Sequence, residues 1–364
     1  IVTLSKIPEI FVIAGNSTFT YKKKQVKVQR VAEELGVRYV LEGSTQRSKD
    51  KVRITAQLID AVTGVYLWSG RYDRDLHDLF ALQDEITGQI VTSLQVELTE
   101  GDQARVWRRE TDNAEAYEYY LRGVERWRQL SKAENSEAQR LLKKAVELDP
   151  GFVAAWVDLA RTHYFAARFG WSESRDRSVA RATELAEKAL TMDDSRAETY
   201  AMLTNVALLK GRHDEAIAHC QQALAHKPNS QVIALCARNL VYVNRPQEAL
   251  ELINRAMRLS PYYPGWYLYV LGDAHRLMGH YDEAIAAFNG WRDRNPNSTR
   301  PYIYLAYAFS MDGRDEEARA AVAEILKRDS NYSLKRLAKS LLYKDPGETE
   351  RLLDALRKAG FPKG

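Results

Sequence analysis

The densest grouping of possible metal ligands or acid–base residues in this 364-residue chain is Asp73, Asp75, His77 and Asp78. Such oxygen and nitrogen donors can hold a cation. They stand directly before an apolar stretch with helical spacing, however, and the plainer reading is a loop whose aspartates cap that helix. His213, His219 and His226 fall close together, but spacings of six and seven match no ligand pattern, so they read as surface or packing histidines. Cys220 and Cys236 both sit in helical patterns, where a thiol is a small apolar filler. Two cysteines are too few for a disulfide framework in a chain of this size, which fits a reducing compartment. The sequence holds no Walker loop, dinucleotide fingerprint, zinc-ligand pair or serine-nucleophile elbow. The expectation is therefore a chain that does not turn over substrate, with no catalytic residue, no metal site and no cofactor.

The bulk numbers point the same way. Hydrophobic residues make up 45% and charged residues 28%, the balance of an ordinary soluble globular protein. A formal charge of +4 is small for this length and gives no strong argument for nucleic acid, which usually demands a concentrated basic face, so none is expected to bind this chain. The one run of like charge, Lys22-Lys23-Lys24, reads as a solvated loop. No stretch approaches the roughly 18 apolar residues of a membrane span. The chain opens at Ile1 inside an amphipathic pattern, which suggests a fragment whose natural N-terminus lies upstream.

The elements that must position any binding site are repeats. Gly211-Arg212-His213-Asp214-Glu215-Ala216, Gly279-His280-Tyr281-Asp282-Glu283-Ala284 and Gly313-Arg314-Asp315-Glu316-Glu317-Ala318 are near copies. Gly279 and Gly313 are 34 residues apart, Gly211 and Gly279 are 68, and Arg245-Pro246-Gln247-Glu248-Ala249 fills the intervening place one residue shorter. The glycine suits the left-handed end of one helix, and the acidic residues suit the positive start of the next. The alanine falls where two helices must approach closely. Downstream, Ala216, Cys220, Ala223; Ala249, Ile253, Ala256; Ala284, Phe288, Trp291; and Ala318, Val322, Ile325 keep one helical face apolar. Pro228, Pro261 and Pro296 then stop each helix.

The first helices of the pairs repeat as well, in Tyr200-Leu203-Thr204-Ala207, Leu271-Gly272-His275 and Tyr302-Leu305-Ala306-Phe309. Together these phrases resemble the tetratricopeptide repeat. Two upstream copies are looser: one runs from Trp156 to Asp194 with about ten extra residues around Phe169-Gly170-Trp171-Ser172, and one from Tyr117 to Pro150. Six repeats result, over residues 113–330, with capping helices at Leu334–Tyr343 and Glu348–Ala359 in residues 331–364. The resemblance implies a right-handed α–α superhelix whose first helices line a groove. In that phase the groove receives Arg161, Tyr164, Asn205, Leu208, Asn239, Trp266, Tyr269, Asp273, Arg276, Arg300, Ile303 and Tyr307. Asparagines can hold an extended peptide's backbone, arginines its carboxylates and aromatics its apolar anchors. The expected partner is a protein or peptide segment, with self-association also open; Trp266 and the nearby tyrosines read equally well as helix-packing residues.

Residues 1–99 differ, and 100–112 read as a linker or helix. Ile10–Ala14 has strand length, Val28–Leu35 is helical and ends in Gly36, and Val37–Gly43 and Val52–Asp60 read as strands. Asp60–Gly64 is a turn, Val65–Tyr72 the returning hairpin strand, and a helix follows from about Leu79 to Leu98. The class is thus α+β, mostly α: a small α/β domain with a mixed sheet, then the helical array. Phe11-Val12-Ile13-Ala14, Glu34-Leu35-Gly36-Val37-Arg38-Tyr39-Val40-Leu41-Glu42-Gly43-Ser44, Ile54-Thr55-Ala56-Gln57-Leu58-Ile59-Asp60 and Arg71-Tyr72-Asp73-Arg74 resemble the α/β module related to the amino-terminal domain of TolB. Such modules normally start with a further strand that is absent here. That resemblance implies a bacterial protein in which module and repeats follow a class III adenylate/guanylate cyclase domain or a winged-helix regulator. The cyclase aspartates and nucleotide loop are not among these residues, so a catalytic domain would precede Ile1. The expectation is a non-catalytic regulatory region, cytoplasmic, or periplasmic if a membrane span lies upstream. The alternatives are the effector region of a transcriptional regulator and a free-standing assembly scaffold.

Overall fold

A computed structural model describes residues 4, 7, 10–22, 24–48, 51–75, 78–94, 110–226 and 228–362 of the chain. They divide into two compact units, Ile1–Leu159 with Leu259–Tyr262, and Ala160–Arg258 with Tyr263–Gly364.

In the first unit a four-residue helix α1 (Gly15–Thr18) and α2 (Val28–Leu35) precede three strands, β1 (Tyr39–Ser48), β2 (Lys51–Asp60) and β3 (Val65–Asp75). The strands pair antiparallel in the order β1-β2-β3. Central β2 buries Val52, Ala56 and Leu58 at alternate positions, as a strand with one face inward must. The β2–β3 turn is fixed by Asp60. Its carboxylate accepts from the Val62 N–H at 3.0 Å, and its carbonyl accepts from Gly64 N–H at 2.7 Å, with Gly64 at φ +73°. Helix α3 (Leu79–Ser93) packs on β3 and β2 and buries Leu82, Ile90 and Val91.

Two expectations are corrected here. Ile10–Ala14 joins no ladder, and the described sheet is wholly antiparallel instead of mixed. A short apolar run determines that Ile13 is buried, but a strand exists only through its hydrogen-bonded neighbour, and none is supplied among the described residues. The helix expected to reach Leu98 is described only through α3 and Leu94. Most of the 100–112 segment lies outside the described residues.

From residue 113 the chain is helical and paired. Helices α4 (Ala114–Trp127) and α5 (Lys132–Leu148) are capped by Asn113 and Ser131, whose side chains accept from the N–H groups of Ala116 and Glu134. Next come α6 (Val153–Arg168) with α7 (Arg175–Met192), α8 (Ala197–Leu209) with α9 (His213–Ala225), and α10 (Ser230–Tyr242) with α11 (Pro246–Leu259). They are followed by α12 (Gly265–Leu277) with α13 (Tyr281–Arg294) and α14 (Arg300–Met311) with α15 (Asp315–Arg328). The ten extra residues of the second pair are spread over all its parts: α6 and α7 have 16 and 18 residues where α8 and α9 have 13 each. The chain ends with α16 (Leu334–Ala338) and α17 (Pro346–Lys358). The helix expected over Leu334–Tyr343 therefore stops at Ala338, and residues 339–345 are not helical.

Within the second unit the repeated small residues do the packing. Ala216, Ala249, Ala284 and Ala318 are wholly buried at the start of each second helix. Gly211, Gly279 and Gly313 turn the chain between helices at φ of 71°, 79° and 77°, and Asn244 does so at 58° where the glycine is missing. Gly272 serves a different purpose, because a Cβ there would lie 2.5 Å from Phe288 Cε1 on α13. Gly272→Ala is thus expected to lower unfolding free energy in urea by about 1–3 kcal/mol through overpacking. Gly279→Ala, with open space around the same point, is expected to cost only about 1–2 kcal/mol from the left-handed backbone. A Gly272→Ala variant as stable as wild type would remove close helix approach as the reason for Gly272.

Candidate partner-binding face of the repeat array

In the second unit the first helices α8, α10, α12 and α14 lie side by side. Asn205, Asn239, Asp273 and Tyr307 follow one another at 34-residue intervals along them, so each occupies the same place in its pair. All four are buried.

The row converges on Arg276, which is 5% exposed. Its Nε donates to Asp273 Oδ1 at 2.6 Å, and its Nη1 donates to Tyr307 Oη at 3.2 Å and to Glu348 Oε2 at 3.1 Å. The guanidinium also lies over the Tyr307 ring, 4.7 Å from its centre. Asp273 in turn accepts from Tyr343 Oη at 2.6 Å and Tyr269 Oη at 3.2 Å. Burial by itself would lower the pKa of Arg276, but Asp273, Tyr343 and Tyr307 outweigh it and hold the group well above its ordinary value. Burial, with the Asp273 charge behind it, pushes the Tyr343 phenol well up, so it stays a hydrogen-bond donor.

A second cluster is built on Arg238. Its Nη2 donates to Asn205 Oδ1 at 2.7 Å, and its guanidinium lies 5.9 Å from the ring centres of Tyr242 and Trp266. Burial would lower the pKa of this guanidinium, but the nearby Tyr164, Tyr242 and Tyr269 hold it raised.

Of the groove residues expected from sequence, the structure brings Tyr269, Asp273, Arg276 and Tyr307 together, and gathers Tyr164, Asn205 and Trp266 around Arg238. Asn239 lies between, with Nδ2 3.7 Å from Cys220 Sγ. Leu208 and Ile303 are buried. Arg161 is half-buried on α6 and Arg300 exposed at the start of α14.

These side chains are covered by the chain's own C-terminal segment. Arg168 Nη1 donates to the Ser340 carbonyl at 2.7 Å. Lys344 N–H donates to the Tyr242 carbonyl at 2.7 Å, and Lys344 Nζ meets Asp214 Oδ1 at 2.6 Å. The Tyr343 ring meets Tyr242 edge-on at 5.7 Å, and α17 packs on α14. Tyr343, Lys344, Glu348 and Arg238 were not foreseen from sequence. A local pattern carries no signal for a contact between positions 70 or 72 residues apart, such as Tyr343–Asp273 or Arg276–Glu348.

The other candidates find ordinary partners. Asp73 lies within β3 and accepts from Arg53 Nε at 2.6 Å, and Asp78 makes no side-chain cap on α3. The expected aspartate capping is therefore corrected: β3 continues to Asp75 and takes Asp73 into a cross-strand ion pair. His77 lies outside the described residues. Among the described residues no group of three or more His, Cys, Asp or Glu is placed to hold a metal ion. His226 stacks on Tyr200 with ring centres 5.5 Å apart, and Cys220 and Cys236 are buried free thiols in one apolar cluster.

Tetratricopeptide-repeat family models match residues 176–238, 236–299 and 269–333, and the chain contains tetratricopeptide repeats. A Rhizobium meliloti (strain 1021) protein named "Putative adenylate cyclase 3" is 40% identical over 216 residues, covering 59% of this chain and 37% of that protein. The chain thus matches little more than a third of that relative's length. A chain in the crystal structure of the APC/C hetero-tetramer Cut9–Hcn1 has a TM-score of 0.50 at 17% identity, covering 78% of this chain and 54% of that one. The fold is accordingly a small three-stranded sheet unit followed by helices matching the tetratricopeptide superhelix. No helix among the described residues is long and apolar enough to cross a membrane.

Two outcomes follow from the charges. Arg276→Ala leaves Asp273 buried without its cation and Glu348 with Arg351 alone, and should cost about 3–5 kcal/mol in chemical denaturation; a loss below 1 kcal/mol would mean the network contributes little. Burial, reinforced by Arg181, lowers the His163 pKa to about 4. The folded state therefore binds fewer protons than the unfolded state between about pH 4 and the ordinary histidine value. Stability is full above that window and falls as pH drops through it. His163→Gln should reduce the acid-induced drop in melting temperature between pH 7 and pH 4.5, and an unchanged drop would exclude this histidine as a contributor.

Proposed function

We propose that this chain is the non-catalytic regulatory and protein-interaction region of a bacterial adenylate cyclase-like signalling protein, binding a peptide or protein through the face of its first helices. The observation that carries the binding half is the row Asn205, Asn239, Asp273 and Tyr307, with Arg238 and Arg276 beside it. Buried polar groups at one position of successive repeats cost stability unless they are paired, and they offer a donor and acceptor line to an extended chain. The likeness to the Rhizobium meliloti protein supports the signalling half, since a chain that carries tetratricopeptide repeats and resembles part of a cyclase-named protein is suited to controlling one. The contact residues are Arg161, Tyr164, Asn205, Asn239, Trp266, Tyr269, Asp273, Arg276, Arg300 and Tyr307. In this reading the protein is cytoplasmic, and the residues up to 99 are the TolB-like module joined to six repeats.

Partner binding would alter how two catalytic domains pair, because class III cyclase sites form across a dimer. Removing residues 113–364 from the full-length product of the gene is expected to change its cyclic AMP output several-fold in cells. An unaltered output together with an unaltered oligomeric state would overturn the regulatory role.

A further inference from the structure

The face proposed to bind a partner is already filled, and its occupant specifies the chemistry of what belongs there. Residues 340–348 cross the first helices without forming helix or strand until α17 begins at Pro346. They are held by an aromatic hydroxyl and a carboxylate five positions apart: Tyr343 on Asp273 at 2.6 Å, and Glu348 on Arg276 at 3.1 Å. Tyr343 and Glu348 are both buried, while Lys344, Asp345 and Pro346 between them are exposed. The segment therefore engages the array as a short linear peptide does, through two anchors and an exposed connection.

The fit leaves hydrogen-bonding capacity unused. Glu348 reaches only Nη1 of Arg276, and the buried Nη2 has no hydrogen-bond partner. On the neighbouring first helix, buried Asn239 Oδ1 also has none. A carboxylate free of the α17 backbone could take both guanidinium nitrogens, the geometry arginine favours, and a backbone N–H passing Asn239 would satisfy its oxygen.

We infer that the face is a receptor for an acidic, aromatic-anchored peptide segment of a partner protein, and that residues 340–348 are a built-in competitor which that segment must displace. The inference rests on the reading of the array as a peptide binder. A tethered occupant acts at high effective concentration, so the apparent affinity for a free segment is reduced by the fraction of molecules whose site is open.

The test uses the complete 364-residue chain and a fluorescein-labelled peptide of residues 340–351, Ser-Leu-Leu-Tyr-Lys-Asp-Pro-Gly-Glu-Thr-Glu-Arg. The double variant Tyr343→Ala with Glu348→Ala loses both anchors of the internal segment, and should bind the peptide at least tenfold tighter than wild type in fluorescence anisotropy. A peptide with alanine at the same tyrosine and glutamate should lose that binding. Glu348→Gln, a milder change that keeps the array's shape, should move affinity in the same direction by about threefold. Equal binding by wild type and the variants, or none by a variant with native circular dichroism and a cooperative melt, would overturn the competitor. A wild-type dimer dissolved by the peptide in analytical ultracentrifugation would instead make a second copy the occupant and overturn the separate partner. These readouts involve no cyclic nucleotide. Failure here with a changed output on deleting residues 113–364 would remove the competitor and leave the regulatory reading standing.

Discussion

A guanidinium keeps its charge at any pH a fold survives, so a buried arginine obliges the chain to bring it compensation. Arg276 imposes that condition on the second unit. Asp273, one turn earlier on α12, supplies the first carboxylate. The rest comes from far along the chain, with the Tyr307 hydroxyl on α14 and the Glu348 carboxylate at the start of α17. Glu348 is shared in turn with half-exposed Arg351, so the buried network opens toward water on one side. The course of residues 339–348 follows from this requirement more than from local preference.

What allows the charges to meet is the smallness of residues elsewhere. Fully buried alanines at the start of each second helix, and Gly272 against Phe288, let the two helices of a pair close to contact. With that spacing fixed, successive first helices stand in register, and positions 34 residues apart become neighbours in a row. Asn205, Asn239, Asp273 and Tyr307 make such a row without touching one another in sequence. The repeat thus acts as a ruler. It places polar groups at regular distances on one face while the apolar seams stay on the others.

The first unit obeys a different constraint. Its sheet has a single central strand, β2, whose alternating Val52, Ala56 and Leu58 face α3 and the core. Asp60 both closes the hairpin and receives Arg38, with Nη2 2.9 Å from its carboxylate, so one buried side chain joins the start of β1 to the end of β2. That junction holds its carboxyl below the usual range, with the Arg38 hydrogen bond as the first cause and the Val62 and Thr63 N–H groups adding to it.

Periodicity made the helical pairs legible in the sequence, because a helix pair that buries its seam against the next must repeat its small and apolar residues at a fixed interval. The glycine turns, the buried alanines and the hairpin at Asp60–Gly64 could all be read for the same reason: each depends on residues within one or two turns of chain. Ile10–Ala14 could not, since apolar content fixes burial but not a strand's neighbour. Nor could the occupant of the binding face. The groove residues were recognisable as a set from their helical phase, yet nothing near Tyr343 or Glu348 distinguishes them from the residues of any terminal cap. Only the tertiary structure decided that these two side chains lie on Asp273 and Arg276, because the force that places them is electrostatic compensation across 70 residues, which leaves no local trace in the sequence.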